Sequence, residues 1–149
     1  MNDSSKIINL YFQSIKRFGD LESMPRNFGT DDLLYSSEIN TVQAIGNNPN
    51  INLTLLAERL GISKSGASKF TGKLLEKGLI TKNKLIDNDK EVVFNLTKLG
   101  YTAYAEHDAF SKSTFQAIYN ILDQLDGDQT AFLESFLEDL NEAVSQIIQ

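Results

Sequence analysis

The sequence predicts a mainly α fold with a small β-hairpin, and three observations predict it. Apolar residues recur at three-and-four spacing in segments on both sides of the chain's middle, the pattern of amphipathic helices. Between them, residues 79–96 (LITKNKLIDNDKEVVFNL) are β-rich on either side of the polar cluster Asp87-Asn88-Asp89, the pattern of a hairpin. The third observation is charge. Residues 1–50 hold 4 basic and 6 acidic side chains, residues 51–98 hold 9 and 5, and residues 99–149 hold 1 and 9. The net charge of -6 argues against a polyanionic partner, but a basic middle between acidic flanks reverses that impression. A localised positive face matters more to phosphate than the total does, although chance clustering would give the same numbers.

Composition sets the remaining bounds. At 149 residues, 41% hydrophobic and 23% charged, the chain 1–149 is expected to fold as a single domain. Its start, MNDSSKIINLYF, lacks a basic segment, a long apolar core and a cleavage site, and no apolar run approaches the roughly 18 residues of a membrane span, so a cytoplasmic protein is expected. Zero cysteines exclude disulfides, thiolate ligands and thiol redox sensing. With His107 the single histidine, no metal site and no cofactor are expected. An enzyme would need a nucleophile with its base, a metal constellation or a phosphate loop, and the sequence offers none of them.

Each element has its own signal. Residues 4–18 place Ile7, Ile8, Tyr11, Phe12, Ile15 and Phe18 on one helical stripe. From Gly19 to Leu34 the periodicity lapses into a long loop. Ser36 or Ser37 can cap a second helix, with Glu38 in its first turn and Ile39, Val42, Ala44 and Ile45 on its buried side, ended by Gly46-Asn47-Asn48-Pro49. Helices over 52–60 and 64–77 follow, then the hairpin. Thr97 can cap a helix over 98–124, and Asp126-Gly127-Asp128 separates it from a last one over 128–148.

The middle segment meets the packing demands of a helix-turn-helix. Ala57 is small where two helices cross, Gly61 can take the left-handed conformation that ends the first, and Leu56, Leu60, Ile62, Ala67 and Phe70 fall on inner faces. Ser63 can cap the second helix and leave its amino end, with Lys64 and Ser65, turned towards a phosphate. With Ala67, Phe70, Thr71 and Leu74 inward, Ser65, Ser68, Lys69 and Gly72 lie on or beside the outer face. Short side chains let such a helix sit deep in a major groove, where Lys69 is the best candidate to read a base. Lys64, Lys69, Lys73 and Lys77 could also be an ordinary solvated stripe, and Gly66 and Gly72 could be neutral drift. The hairpin that follows favours the DNA reading.

Residues 36–100 resemble the winged helix-turn-helix of the MarR family of bacterial regulators. The resemblance runs through Ser36-Ser37-Glu38-Ile39, Leu56-Ala57-Glu58-Arg59-Leu60-Gly61-Ile62-Ser63, Leu74-Leu75-Glu76-Lys77-Gly78-Leu79-Ile80 and Phe94-Asn95-Leu96-Thr97-Lys98-Leu99-Gly100. In the wing, Asp87-Asn88-Asp89-Lys90 is similar to the family's acidic-then-arginine tip, and Lys82 also stands where an arginine is usual. Lysine keeps the charge without the bidentate geometry, which favours phosphate contact by Lys90 over minor-groove insertion.

The resemblance implies a fold in which the winged helix-turn-helix, 36–98, is flanked by dimerisation helices 4–18 and 100–148. It implies a homodimer on pseudo-palindromic duplex DNA, repression as the default, and a small, often aromatic, effector. The expected DNA contacts are Ser63, Lys64, Ser65, Ser68, Lys69, Lys73, Lys82, Lys84, Asn88 and Lys90. Tyr11, Phe12, Met24, Phe28, Tyr35, Tyr101 and Tyr104 are the candidate effector-binding residues, which core packing would explain equally. A monomer whose outer helices fold back, or a winged helix that docks on a protein, are the alternatives. Glu106-His107-Asp108 is not a metal or pH site by sequence, because adjacent helical residues do not share a face.

Overall fold

The first helix runs a turn further than its apolar stripe suggests. Helix α1 covers Ser4–Ser23, not 4–18, in a computed structural model that describes residues 4–148 and, at Asp89, the backbone alone. Residues 1–3 and 149 of the expected 1–149 domain lie outside the described residues. Gly19 sits inside α1. An interior glycine costs about 1 kcal/mol relative to alanine, which weakens a helix without ending it.

Helix α2, Ser36–Asn47, starts where expected but is capped differently. Its N-cap is Tyr35, and the Tyr35 backbone N–H donates to Glu38 Oε2 at 3.0 Å. The carboxylate three residues on satisfies an orphan donor that neither Ser36 nor Ser37 caps from the other side. The loop before α2 is tied by backbone hydrogen bonds in both directions between Arg26 and Leu34, at 3.2 and 2.8 Å.

A strand absent from the sequence reading comes next. Ile51–Asn52 forms β1, antiparallel to a later strand, so the helix expected from 52 begins one residue on as α3, Leu53–Leu60. Two residues are too few to show a period. Helix α4, Lys64–Glu76, leads into β2, Ile80–Leu85, and β3, Asn88–Leu96. The sheet order is β1-β3-β2, with Ile51 opposite Phe94 and Lys82 also opposite Phe94. The hairpin turn is Ile86-Asp87, not Asp87-Asn88-Asp89: Asn88 already pairs with Leu85. Neither turn residue takes a positive φ, so the turn is not a primed one, and a register shift between Lys84 and Leu85 accompanies it.

Thr97 caps α5, Lys98–Leu122, as expected: its Oγ1 accepts from Gly100 N at 3.1 Å. Helix α6, Gly127–Ile148, opens on a reciprocal cap, with Gln129 N donating to Asp126 Oδ1 at 2.8 Å and Asp126 N to Gln129 Oε1 at 3.0 Å. The ends differ by a residue or two from 98–124 and 128–148, where fraying and caps decide.

The hydrophobic core lies among α2, α3, α4, the sheet and the first turns of α5. Leu34, Ile39, Val42, Ile45, Leu56, Leu74, Leu79, Ile80, Phe94 and Ala103 form one buried cluster. Gly100 is required where α5 meets it, since a Cβ there would overlap the Leu79 carbonyl oxygen. The chain divides into two compact units, Met1–Asp108 and Ala109–Gln149. Helices α1 and α6 bury no residue, although Ile7, Phe12, Phe132 and Ile147 on them are apolar and well exposed. No helix among the described residues is long and apolar enough to cross a membrane.

Candidate nucleic-acid interface

The interface is built on the α3–α4 corner. Asn52 caps α3, its side chain accepting from Leu55 N at 2.9 Å. At the other end Gly61 takes φ 64, ψ 33, and the Ile62 N–H returns to the Ala57 carbonyl at 3.1 Å, which closes the helix in the left-handed way expected. Ser63 then caps α4: its Oγ accepts from Gly66 N at 3.1 Å and lies 3.0 Å from Ser65 Oγ. Ala57 and Ala67 are buried at the crossing.

One side of α4 is committed to the core. Ala67, Thr71 and Leu74 are buried and Phe70 is half-buried, and Thr71 Oγ1 satisfies itself on the Ser68 carbonyl at 3.1 Å. Ile62, expected inside, is exposed, because it sits in the turn outside both helices. On the other side Lys64, Ser65, Ser68, Lys69 and Lys73 are all exposed, as is Ser63 at the amino end.

Lys77 departs from the expected stripe. Its Nζ lies 2.8 Å from Glu38 Oε1 and donates to the Leu33 carbonyl at 2.9 Å. The charge is spent inside the fold because Glu38, nearly fully buried on α2, needs a cation beside it. The outward basic set of α4 is therefore Lys64, Lys69 and Lys73.

Beside α4 runs a groove lined by Ser68 and Gly72 from the helix, Lys82 from β2, and Leu53, Leu75, Val92 and Phe94. Ser68 and Lys82, 14 positions apart in sequence, thus come together from α4 and β2. A Cβ on Gly72 would meet nothing within 4 Å. The helix backbone is accordingly bare at the groove without any packing reason within the protein. Lys84, Asn88 and Lys90 are exposed further out along the wing, with the Asn88 side chain accepting from Lys90 N at 3.2 Å.

Sequence reasoning missed what holds the wing to this corner. Asn52 donates from Nδ2 to Glu91 Oε1 at 2.6 Å, so the residue that caps α3 also ties β3. The capping half was legible in Asn52 standing three residues before Leu55. The partner 39 residues on had no local signal.

The seven aromatic or thioether candidates are spread over α1, the following loop as far as Tyr35 at the N-cap of α2, and α5. Phe12, Met24, Tyr35 and Tyr101 are exposed; Tyr11 is half-buried and meets Phe12 edge-on at 5.7 Å. Tyr104 is engaged in the fold, its hydroxyl donating to Asn47 Oδ1 at 2.6 Å and its ring close over Gly46. Phe28, at φ 45, meets His107 edge-on at 5.3 Å. Burial lowers the His107 pKa below the ordinary imidazole value, and the neighbouring Asp108 carboxylate raises it in part.

Two helices crossing at small residues, a left-handed turn between them and a hairpin beside the second helix define a winged helix-turn-helix, the fold of a class of transcriptional regulators and not of an enzyme. The MarR family model matches residues 34–92. Over those residues the chain is similar to the MarR family of transcriptional regulators. It is 29% identical over 121 residues to the uncharacterized HTH-type transcriptional regulator YhjH of Bacillus subtilis (strain 168), covering 81% of this chain and 69% of that one. It is likewise 29% identical to the HTH-type transcriptional regulator PchR of the same organism, over 81% and 67% of the two chains. Lactococcus lactis ZitR, solved in complex with DNA, shares the fold at TM-score 0.77 and 18% identity over 97% of this chain and 99% of its own. Streptococcus pneumoniae FabT, also solved in complex with DNA, does so at TM-score 0.70 and 21% identity over 96% and 99%.

Proposed function

We propose that this protein binds duplex DNA as a homodimer and represses transcription, with α4 of each protomer in a major groove of a pseudo-palindromic site. The observation that carries the reading is the two-sided character of α4. Its inner residues are buried while Ser65, Ser68, Lys69 and Lys73 stand clear on the outer side, beside a groove to which the wing adds Lys82. Lys69 reads a base edge; Ser63, Lys64, Ser65, Ser68 and Lys73 sit on the helix beside it, and Lys82, Lys84, Asn88 and Lys90 contact the backbone from the wing. The DNA complexes of ZitR and FabT support this use of the shared fold.

The dimer reading rests on apolar surface. Helices α1 and α6 bury nothing within one copy, although Ile8, Ile15 and Phe18 on the first and Phe136, Leu137 and Val144 on the second are at least 39% exposed. Such stripes are costly in water unless covered, and a second copy would cover both 4–18 and 100–148. Within that arrangement 36–98 is the DNA-binding region of one functional domain, and the protein acts in the cytoplasm. A small aromatic effector bound among Tyr11, Phe12, Met24, Phe28, Tyr35, Tyr101 and Tyr104 would release DNA. Another ZitR structure is described as that of a zinc-responsive protein. A zinc response is not part of the reading proposed for this chain, whose sequence has no cysteine and one histidine.

Selection of duplexes from a random pool, followed by titration at two salt concentrations and sedimentation of the complex, tests the reading. An enriched inverted repeat bound by two copies with steep salt dependence is expected. A monomer, or no enrichment, would refute it.

A further inference from the structure

Charge does not explain what the wing tip would do on DNA. Residues 84–91 hold Lys84 and Lys90 against Asp87, Asp89 and Glu91, a balance of -1, so phosphate contacts by the two lysines add little net attraction at the tip. What the tip presents is Ile86, 98% exposed and the most exposed of the large apolar side chains among the described residues. The other well-exposed apolar residues of α1 and α6 form stripes on long helices, whereas Ile86 stands by itself in the two-residue turn between Leu85 and Asn88. Such turns favour Gly, Asn and Asp, so a β-branched residue has no local reason to be there. The hairpin behind it is a supported lever: β3 pairs with β1 on one side and β2 on the other, and Glu91 is tied to Asn52.

Resting on the DNA-binding reading above, we propose that Ile86 is a minor-groove wedge. With α4 in a major groove, the hairpin beside it reaches the adjoining minor groove, and Ile86 enters against sugar walls and base edges. Apolar side chains, isoleucine among them, partly unstack a base step in this way. Pyrimidine–purine steps unstack most readily, so Ile86 adds a sequence preference outside the reach of α4. A protein docking on the same tip is the rival occupant.

The test uses the full chain, wild type and with Ile86→Ala, Ile86→Phe or Lys90→Ala, on the selected duplex. Affinity is measured at two salt concentrations, with 2-aminopurine placed in turn at each step flanking the half-sites. Because Ile86 packs against nothing, substitution leaves the fold intact. Wild type is expected to raise the fluorescence at one flanking step. Ile86→Ala loses that signal and binds about tenfold more weakly with an unchanged salt slope, since no charge is removed. Ile86→Phe keeps the signal, and Lys90→Ala lowers the slope instead. Wild-type affinity in Ile86→Ala, or no flanking signal in the wild type, overturns the wedge and leaves DNA binding standing. A wild-type protein that selects no duplex overturns the DNA-binding reading and the wedge with it.

Discussion

Lys77 Nζ lies 2.8 Å from Glu38 Oε1, which joins the end of the helix proposed to read DNA to the start of α2. The Glu38 side chain is 2% exposed and that of Lys77 23%. Removing the lysine would leave a buried carboxylate without its cation. Lys77→Met is therefore expected to cost about 3 kcal/mol in urea denaturation, and Lys77→Met with Glu38→Met less than the single change. A loss in the double variant equal to the sum of the losses in Lys77→Met and Glu38→Met alone would show that the pair is not coupled. At temperatures where Lys77→Met is folded, its salt slope on DNA should match the wild type, because the ammonium faces inward.

Gly72 separates stability from function. Nothing within 4 Å opposes a Cβ there, so Gly72→Ala should stabilise the protein by about 0.5 to 1 kcal/mol through helix propensity. The same methyl projects into the groove between α4 and the wing. DNA affinity should fall while the melting temperature rises. Unchanged affinity would mean that the backbone of α4 does not approach DNA at this position.

Lys69 and Lys90 should fail differently. Lys69→Ala is expected to lose about 1 to 3 kcal/mol on the selected duplex and to relax preference at one base pair. Lys90→Ala should weaken cognate and random duplexes alike. Equal losses on both duplexes for Lys69→Ala would remove its base-reading role.

His107 gives a pH signature. Burial lowers its folded pKa, so the unfolded chain takes up a proton first as pH falls below the ordinary imidazole value of about 6.5. The unfolded state then binds more protons than the folded one, and stability present above that pH is lost as pH falls towards the folded pKa. Melting temperatures measured across this range should fall for the wild type and less steeply for His107→Phe. An identical slope in the two would assign the pH dependence to other groups.

Much of the interface was legible because its constraints are local. The left-handed turn at Gly61, the Ser63 cap and the inward Ala67, Thr71 and Leu74 are set by residues within a few positions of one another. Periodicity also placed the hairpin, but not its turn. A polar run at Asp87-Asn88-Asp89 outweighed the exposed isoleucine that occupies the bend.

The sequence by itself determined the element types, the helix-turn-helix and the basic middle, since helical periodicity, caps and charge are properties of neighbouring residues. Only the tertiary structure decided that Lys77 belongs to Glu38, that Asn52 holds Glu91, that two residues at Ile51–Asn52 complete the sheet and that Ser68 shares a groove with Lys82. Each of these joins residues 14 to 43 positions apart. Such pairings leave no period in the chain, and they follow from which buried polar groups and strand edges must find a partner once the core has closed.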